Sequence, residues 1–301
     1  MAGVKHLHLV HRTVQSFPAP VTSSYGLALL LPRQLDEQRV HLSRLAVEPA
    51  PHEQSTHEDV AGNRVTWFHV TTPHERLEVM TETLVSVDRP FVDSSTLPQL
   101  PWDQVAGLVR GVRATGRPGD GSHPGPSQVI DVTAGALPSE LVPLSDAAQS
   151  LALDTFAPGQ PLAHAVATLG RRIQREFTHR EPTNSDLDDV LRTRSGACHD
   201  LAHVMLAALR ALGLSALYVT GYRDTSDTAE PRDATHGWVA TWFPGAGWVH
   251  VDPTHGTFID DRYVVLGWGR DSRDVSPLRG IAFTEGGGST MSTRAELRSI
   301  S

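Results

Sequence analysis

The sequence has little cysteine and no long apolar run. Its 301 residues include a single cysteine, Cys198, which excludes an internal disulfide framework and zinc sites built from paired cysteines. No segment approaches the roughly 18 consecutive apolar residues of a membrane span. The first eight residues lack the continuous apolar segment of a secretion signal. We therefore expect a cytoplasmic protein that does not associate with membranes.

Positive charge is also scarce. The chain has 26 Lys and Arg against 34 Asp and Glu, a formal net charge of −8, so nucleic acid is not an expected partner. Hydrophobic residues make up 39% of the chain, which is typical of a globular protein. The length suits one large domain or two small ones.

Residues 1–88 are predicted to form a β-rich N-terminal domain. Short apolar or alternating segments are separated by Pro and Gly, a pattern typical of a sandwich or barrel-like unit. The predicted strands cover residues 6–10, 25–31, 42–47, 63–70 and 77–87. This domain is a candidate surface for a partner protein.

The rest of the chain divides into three segments. Residues 89–160 are predicted to connect the domains, with helices and a flexible Gly- and Pro-rich loop at 116–127. Residues 161–285 are predicted to form a second domain, the core, which begins with a helix at about 161–177. Residues 286–301 begin with Gly and Ser and are predicted to be a mobile tail.

Cys198 lies where a helix is predicted to begin. An apolar stripe at helical spacing occupies residues 201–212, and Gly213 is suited to the turn that ends such a helix. Backbone N–H groups in a first turn have no intrahelical acceptor, and the helix dipole is positive there. Both effects favour a thiolate at Cys198. The backbone N–H of Cys198 can also hold the oxyanion that forms when a thiolate attacks a carbonyl.

A reactive thiolate needs a base and a group that orients the base. His236 opens one predicted strand, and Asp252 ends the next. If Trp242 pairs with Trp248, the connecting loop has five residues, and His236 and Asp252 are diagonal neighbours on one face. A four-residue loop without a bulge would place them on opposite faces. The hypothesis of a Cys198–His236–Asp252 triad therefore predicts a five-residue loop or a bulge.

Several segments together resemble the bacterial transglutaminase-like superfamily. They are residues 196–203 (GACHDLAH), 218–222 (YVTGY), 236–239 (HGWV), 247–256 (GWVHVDPTHG) and 269–280 (GRDSRDVSPLRG). The β-rich start is similar to the N-terminal domain that often precedes this core. The resemblance implies an α+β fold with a papain-like core, in which a Cys-bearing helix lies against an antiparallel sheet that carries His and Asp. Cys198, His236 and Asp252 match the triad positions of the family.

The sequence departs from the family pattern outside the triad. Gly237 stands where Ala is common, Thr241 where an acidic residue is common, and His255 where Asn is common. The animal enzymes use a Trp upstream of the Cys to stabilise the oxyanion, and this chain has no match to it. We expect Ala197, Asp200, His203 and Trp238 to support the site, at the oxyanion or behind the reacting groups.

The function we predict is cysteine-dependent acyl transfer on a peptide or protein amide, most simply hydrolysis through an acyl-thioester, with no cofactor and no metal. Transamidation of protein glutamine with an amine acceptor is the alternative. Two other hypotheses stay open. One is a non-catalytic binding module that retains the fold. The other is a zinc site, because His199 and His203 are spaced like the two histidines of HExxH, although no third ligand is evident.

Overall fold

The computed structural model describes residues 3–115, 126–180, 186–225 and 235–300. Within these ranges the strands are β1 (Lys5–Ala28), β2 (Gln38–Glu48), β3 (Glu53–Glu58), β4 (Arg64–Val70), β5 (His74–Val87), β6 (Thr178–His179), β7 (Ser195–Gly196), β8 (Ala216–Arg223), β9 (His236–Phe243), β10 (Gly247–Asp252), β11 (Thr257–Phe258), β12 (Tyr263–Gly269), β13 (Leu278–Thr284) and β14 (Thr290–Ile300). The helices are α1 (Trp102–Thr115), α2 (Pro126–Gly135), α3 (Asp146–Leu153), α4 (Leu162–Glu176), α5 (Leu187–Thr193) and α6 (Cys198–Ala211), with a short 3-10 helix at Ser94–Thr96. No helix in these ranges is long and apolar enough to cross a membrane.

A seven-stranded antiparallel sheet is organised around β1. The first half of β1 pairs with β5 and β14, and its second half pairs with β4 and β13. The register shifts between the two halves, in the stretch that contains Pro18 and Pro20, because proline has no N–H to donate to a strand ladder. Strands of both halves contribute to one cluster of buried side chains: Phe17, Val21, Ala28, Leu30, Val47, Phe68, Val70, Leu77 and Val79.

The second sheet is antiparallel, with five strands in the order β11-β10-β9-β8-β12, and α6 contacts β8 and β9. Every residue from Asp200 to Arg210 is buried, so α6 is a central helix. The apolar stripe of α6 therefore continues around the helix, as expected when other elements cover all its sides. This arrangement confirms the α+β class predicted from the sequence.

The strongly periodic helices form close to where the sequence places them. α4 covers Leu162–Glu176, within a residue of the predicted range at each end. α3 begins after Ser145, whose hydroxyl accepts a hydrogen bond from the backbone N–H of Ala148 at 3.4 Å. α6 begins at Cys198, as the helix-start argument requires.

The prediction of a mobile tail at residues 286–301 is wrong. β14 pairs antiparallel with β1 from His6↔Ile300 to Ser16↔Thr290. Ala295 and Leu297 are buried, which is the period-2 pattern of a half-buried strand. The neighbouring β13 also pairs with β1 rather than with the core sheet. Most of the loop predicted at 116–127 lies outside the described residues.

The two sheets are joined by polar side chains as well as by a common apolar core. Gln38 is fully buried. Its Oε1 accepts from the backbone N–H of Val265 at 2.7 Å, and its Nε2 donates to the carbonyl of the same residue at 2.9 Å. Asn63 makes the equivalent pair of contacts with Trp268, both at 2.9 Å. Because Val265 and Trp268 lie in β12, the N-terminal sheet holds the edge strand of the core sheet.

Candidate active site

The β9–β10 hairpin has the register that the triad hypothesis requires. Trp248 pairs with Trp242, and Val251 pairs with Val239. The predicted pairing of Trp242 with Trp248 is therefore confirmed. The ladder continues to Phe243 and Gly247, so the loop itself is three residues, 244–246, and not five. This shorter loop keeps the predicted register, and Gly245 and Gly247 have positive φ. Positive φ is unfavourable for residues other than glycine, so the two glycines account for this turn.

The hairpin brings His236 and Asp252 into contact. The Nε2–H of His236 donates to Oδ2 of Asp252 at 2.6 Å. Asp252 is fully buried, and Tyr263 Oη and His255 Nδ1 donate to the same oxygen at 2.8 and 2.7 Å. Its Oδ1 accepts from the backbone N–H of Thr254 at 2.8 Å. Asp252 is thus held in one orientation by groups on three sides.

Cys198 is the first residue of α6 and is half-buried. Ala197 is the N-cap residue and has extended backbone angles. The Asp200 carboxylate accepts from the Ala197 backbone N–H at 2.8 Å, which is the reciprocal half of a capping box. A Cβ on Gly196 would lie 2.6 Å from Cβ of Asp200, so glycine is required where the chain folds back on this cap.

Three histidines donate hydrogen bonds to the Cys198 thiol. Burial opposes ionisation, but hydrogen bonds from His179, His199 and His236 hold the pKa of Cys198 well below its usual range. Because Nε2 of His236 is bound to Asp252, the other ring nitrogen, Nδ1, is the one available to the thiol. The site therefore favours a thiolate beside a charged imidazole.

The charge of His236 depends on its two neighbours. Burial lowers the pKa of this histidine, but the charge and hydrogen bond of Asp252 and the contact with Cys198 raise it to about 10. Burial in turn opposes ionisation of Asp252, and the contacts with His236 and His255 hold its pKa well below the ordinary value. Both directions follow from opposite charges in contact inside the protein.

Trp238 and His203 occupy different surroundings. The indole of Trp238 stacks against the His236 ring at 6.0 Å between centroids, and its Nε1–H donates to His250 Nδ1 at 3.0 Å. His203 accepts from the Ser272 backbone N–H at 3.2 Å, and burial lowers its pKa to about 3. Trp238 therefore supports the His236 ring, whereas His203 is a neutral group that connects α6 to the loop after β12.

The sequence did not point to four residues that surround the reacting groups: His179, His199 as a partner of the thiol, His255 and Tyr263. Asp252 opens an Asp-Pro-Thr-His turn, and an Asp side chain in a turn typically bonds to the residues that follow it. This pattern could have identified His255 as a neighbour of Asp252. His179 and Tyr263 come from strands that meet the site only through tertiary pairing, for which the sequence carries no periodic signal.

A metal could be held at one group of side chains among the described residues. Ligand atoms of His236, Asp252 and His255 all lie within 4.8 Å of one another. The group contains two imidazoles and a carboxylate, which are ligands that zinc accepts. The zinc hypothesis from the sequence instead used His199 and His203, whose ring centroids are 6.3 Å apart.

The family departure at Gly237 has a structural reason. A Cβ at this position would lie 2.2 Å from the hydroxyl oxygen of Tyr218, a buried residue of the adjacent strand β8. Glycine next to His236 therefore leaves room for the large Tyr218 side chain, a diagonal neighbour on β8. The hydroxyl of Thr241, at a second of the three departures, is buried without a hydrogen-bond partner among the described atoms.

Comparison with known families matches both parts of the chain. The Bacterial transglutaminase-like N-terminal region matches residues 7–86, and the Transglutaminase-like superfamily matches residues 149–253. The Mycobacterium tuberculosis protein Rv2569c is 36% identical over 298 residues, which covers 94% of this chain and 90% of the relative. The chain belongs to the transglutaminase-like superfamily.

Two further similarities are informative. A protein-glutamine gamma-glutamyltransferase of Pseudomonas aeruginosa is 39% identical over 112 residues, which covers 33% of this chain and 16% of that protein. A crystal structure from Cytophaga hutchinsonii, described as a "Putative Cysteine Protease", superposes with a TM-score of 0.74 at 17% identity and covers 100% of this chain and 92% of that one. The structural likeness extends over both sheets, so it shows that the whole fold is shared.

Proposed function

We propose that the protein is a cysteine-dependent acyl-transfer enzyme that hydrolyses a peptide or amide bond, with Cys198 as nucleophile, His236 as base and Asp252 as the group that orients it. One arrangement carries this proposal. The thiol at the start of α6 contacts a histidine whose other nitrogen donates to a fully buried carboxylate at 2.6 Å. Such an arrangement activates a nucleophile and recycles its proton.

In the first step, the Cys198 thiolate attacks the amide carbonyl carbon and the π electrons move to oxygen. The backbone N–H of Cys198, which lies in the first turn of α6, donates to this oxyanion. When the oxyanion collapses, the C–N bond breaks, and protonated His236 gives its proton to the leaving amine. Asp252 holds the imidazolium ring throughout.

In the second step, His236 accepts a proton from water, and the hydroxide attacks the acyl-thioester. The acid is released and the thiolate returns. An amine in place of water would give transamidation, and the similarity to a protein-glutamine gamma-glutamyltransferase over 112 residues supports this alternative. The two reactions share every group described so far and differ only in the acceptor.

The supporting residues act through the reacting groups. Asp200 fixes the backbone of Ala197 and with it the first turn of α6. Trp238 supports the ring of His236. The cytoplasmic location and the role of the N-terminal sheet in binding a partner stay predictions.

The proposal is tested by mass spectrometry of the protein incubated with a library of peptides and amines. We expect an acyl adduct on Cys198, followed by release of acid or of a new amide, which identifies the acceptor. Cys198→Ala should remove the adduct and at least about 10³-fold of turnover, because the nucleophile is lost.

His164→Ala serves as the control, because His164 is an exposed histidine of α4, and this variant should behave like the wild type. Unchanged turnover in Cys198→Ala would contradict the proposal. A wild type that binds peptides without forming any adduct would favour the binding module.

A further inference from the structure

The oxyanion in the proposed reaction has one donor so far, the backbone N–H of Cys198. A single donor leaves much of the developing charge unpaired, since sites for tetrahedral intermediates present preorganised donors from backbone and side chains. The second donor must come from a group close to Sγ, because the carbonyl oxygen is joined to Sγ through one carbon atom. His236 is excluded as that donor because it carries the proton for the leaving amine.

Two other histidines contact the thiol, His179 and His199. They differ in how they are held. Nε2 of His199 lies 3.3 Å from Oδ1 of Asp200, so its ring is held by a carboxylate of α6. His179 lies in β6 and is exposed, so a substrate can reach its ring.

The backbone of His179 is fixed to the segment that carries the nucleophile. β6 and β7 pair in parallel, with His179 opposite Gly196. The N–H of Thr178 donates to the Arg194 carbonyl at 2.8 Å, and the N–H of Arg180 donates to the Gly196 carbonyl at 3.0 Å. These two bonds flank His179 and tie it to the residues just before Cys198, so the position of the His179 backbone relative to Cys198 is set before substrate binds.

We propose that His179 is a catalytic residue, the side-chain donor that stabilises the oxyanion together with the backbone N–H of Cys198. In the free enzyme its ring N–H donates to the thiolate. When Sγ bonds to the carbonyl carbon, the negative charge moves from sulfur to oxygen, and the same N–H donates to the oxygen. His179 keeps its proton throughout, and His236 carries the proton that reaches the leaving group. This inference rests on the proposed function.

The test compares two small electrophiles, of which one reacts with Cys198 through an oxyanion and the other does not. Acetylation of Cys198 by 4-nitrophenyl acetate passes through an oxyanion, whereas alkylation by iodoacetamide displaces iodide at carbon and forms none. Each rate is measured across pH and compared on its plateau, so that a change in the pKa of Cys198 does not enter the comparison.

We expect His179→Ala to slow acetylation by about 10²-fold or more, the typical loss for one oxyanion donor, and to change plateau alkylation by less than about threefold. His179→Gln should recover part of the acetylation rate, since an amide N–H can donate but does not titrate in this range. His164→Ala should leave both rates unchanged.

Equal losses in both reactions would overturn the inference, because His179 would then act only on the thiolate. An unchanged acetylation rate in His179→Ala, or a selective loss in His199→Ala instead, would also overturn it, while leaving the proposed function intact. Absence of acetylation in the wild type would overturn the proposed function and this inference with it.

Discussion

At the scale of single residues, the reactivity of Cys198 depends on hydrogen bonds that overcome an unfavourable environment. The thiol is half-buried, and burial alone would raise its pKa. Contacts from His179, His199 and His236 reverse that effect. The charge of His236 is in turn maintained by Asp252, which accepts hydrogen bonds from His236, His255 and Tyr263 on one oxygen.

His236→Ala is expected to return the Cys198 thiol toward its ordinary pKa of about 8.5. The wild type should react rapidly with iodoacetamide near pH 6, because the three histidines hold the pKa of Cys198 well below its ordinary value. The variant should react about 10- to 100-fold more slowly at that pH and regain the rate above about pH 9. The wild-type ion pair should be lost on the alkaline side as pH passes the pKa of His236, which is about 10.

This prediction is checked by the pH profile of alkylation, with His164→Ala as the matched control. A variant profile that overlies the wild-type profile would show that His236 does not set the charge of the thiol.

At the scale of elements, the hairpin formed by β9 and β10 places the base and its partner, and β8 restricts what β9 can contain. Gly237 and Tyr218 are adjacent across β8 and β9, with Tyr218 opposite Val239 and Gly237 opposite Thr220. The space that a methyl group on Gly237 would need is occupied by the Tyr218 ring.

Gly237→Ala is expected to destabilise the protein by about 1–3 kcal/mol, the usual range for overpacking a filled interior. Urea unfolding measures the change. Tyr218→Phe should restore part of the lost stability in the double variant, because it removes the atom that is 2.2 Å from the added methyl group.

The control for the added methyl group is Gly111→Ala. A Cβ at Gly111, in α1, has no neighbour within 4 Å, and alanine should stabilise this helix by about 0.5–1 kcal/mol. Independent, additive effects of Gly237→Ala and Tyr218→Phe would contradict the packing explanation.

At the scale of the whole molecule, the N-terminal sheet and the core sheet share a boundary at β12. Leu7, Leu9, Val85 and Val87 of the first sheet belong to the same buried cluster as the helices of the core. β12 begins with Tyr263, which donates to Asp252. The N-terminal sheet therefore supports the strand that completes the surroundings of the carboxylate.

Gln38→Ala is expected to lower the free energy of unfolding by about 2 kcal/mol, because it removes the acceptor of the buried Val265 N–H and one of the two donors to the Val265 carbonyl. Hydrogen exchange at the amide of Val265 should increase along with the loss measured in urea. Gln54→Ala is the control, since Gln54 is exposed on β3. Equal stability of the two variants would show that Gln38 does not hold β12.

The sequence by itself determined the local features of this protein. Helical periodicity predicted α4 and α6, and the position of Cys198 at a helix start followed from the residues around it. Alternation in β9 and β10 predicted the pairing of Trp242 with Trp248 and brought His236 next to Asp252, because side-chain direction in a strand depends only on local offset. The family resemblance rested on the same segments.

Only the tertiary structure decided which other residues surround Cys198, His236 and Asp252. His179 reaches Cys198 through the parallel pairing of β6 with β7, and Tyr263 reaches Asp252 from the opposite edge strand of the core sheet. The C-terminal residues form a strand because β1, almost 300 positions earlier in the chain, offers them a partner. Pairing between distant segments leaves no period in the sequence, because the partner of each residue is set by the fold and not by its neighbours.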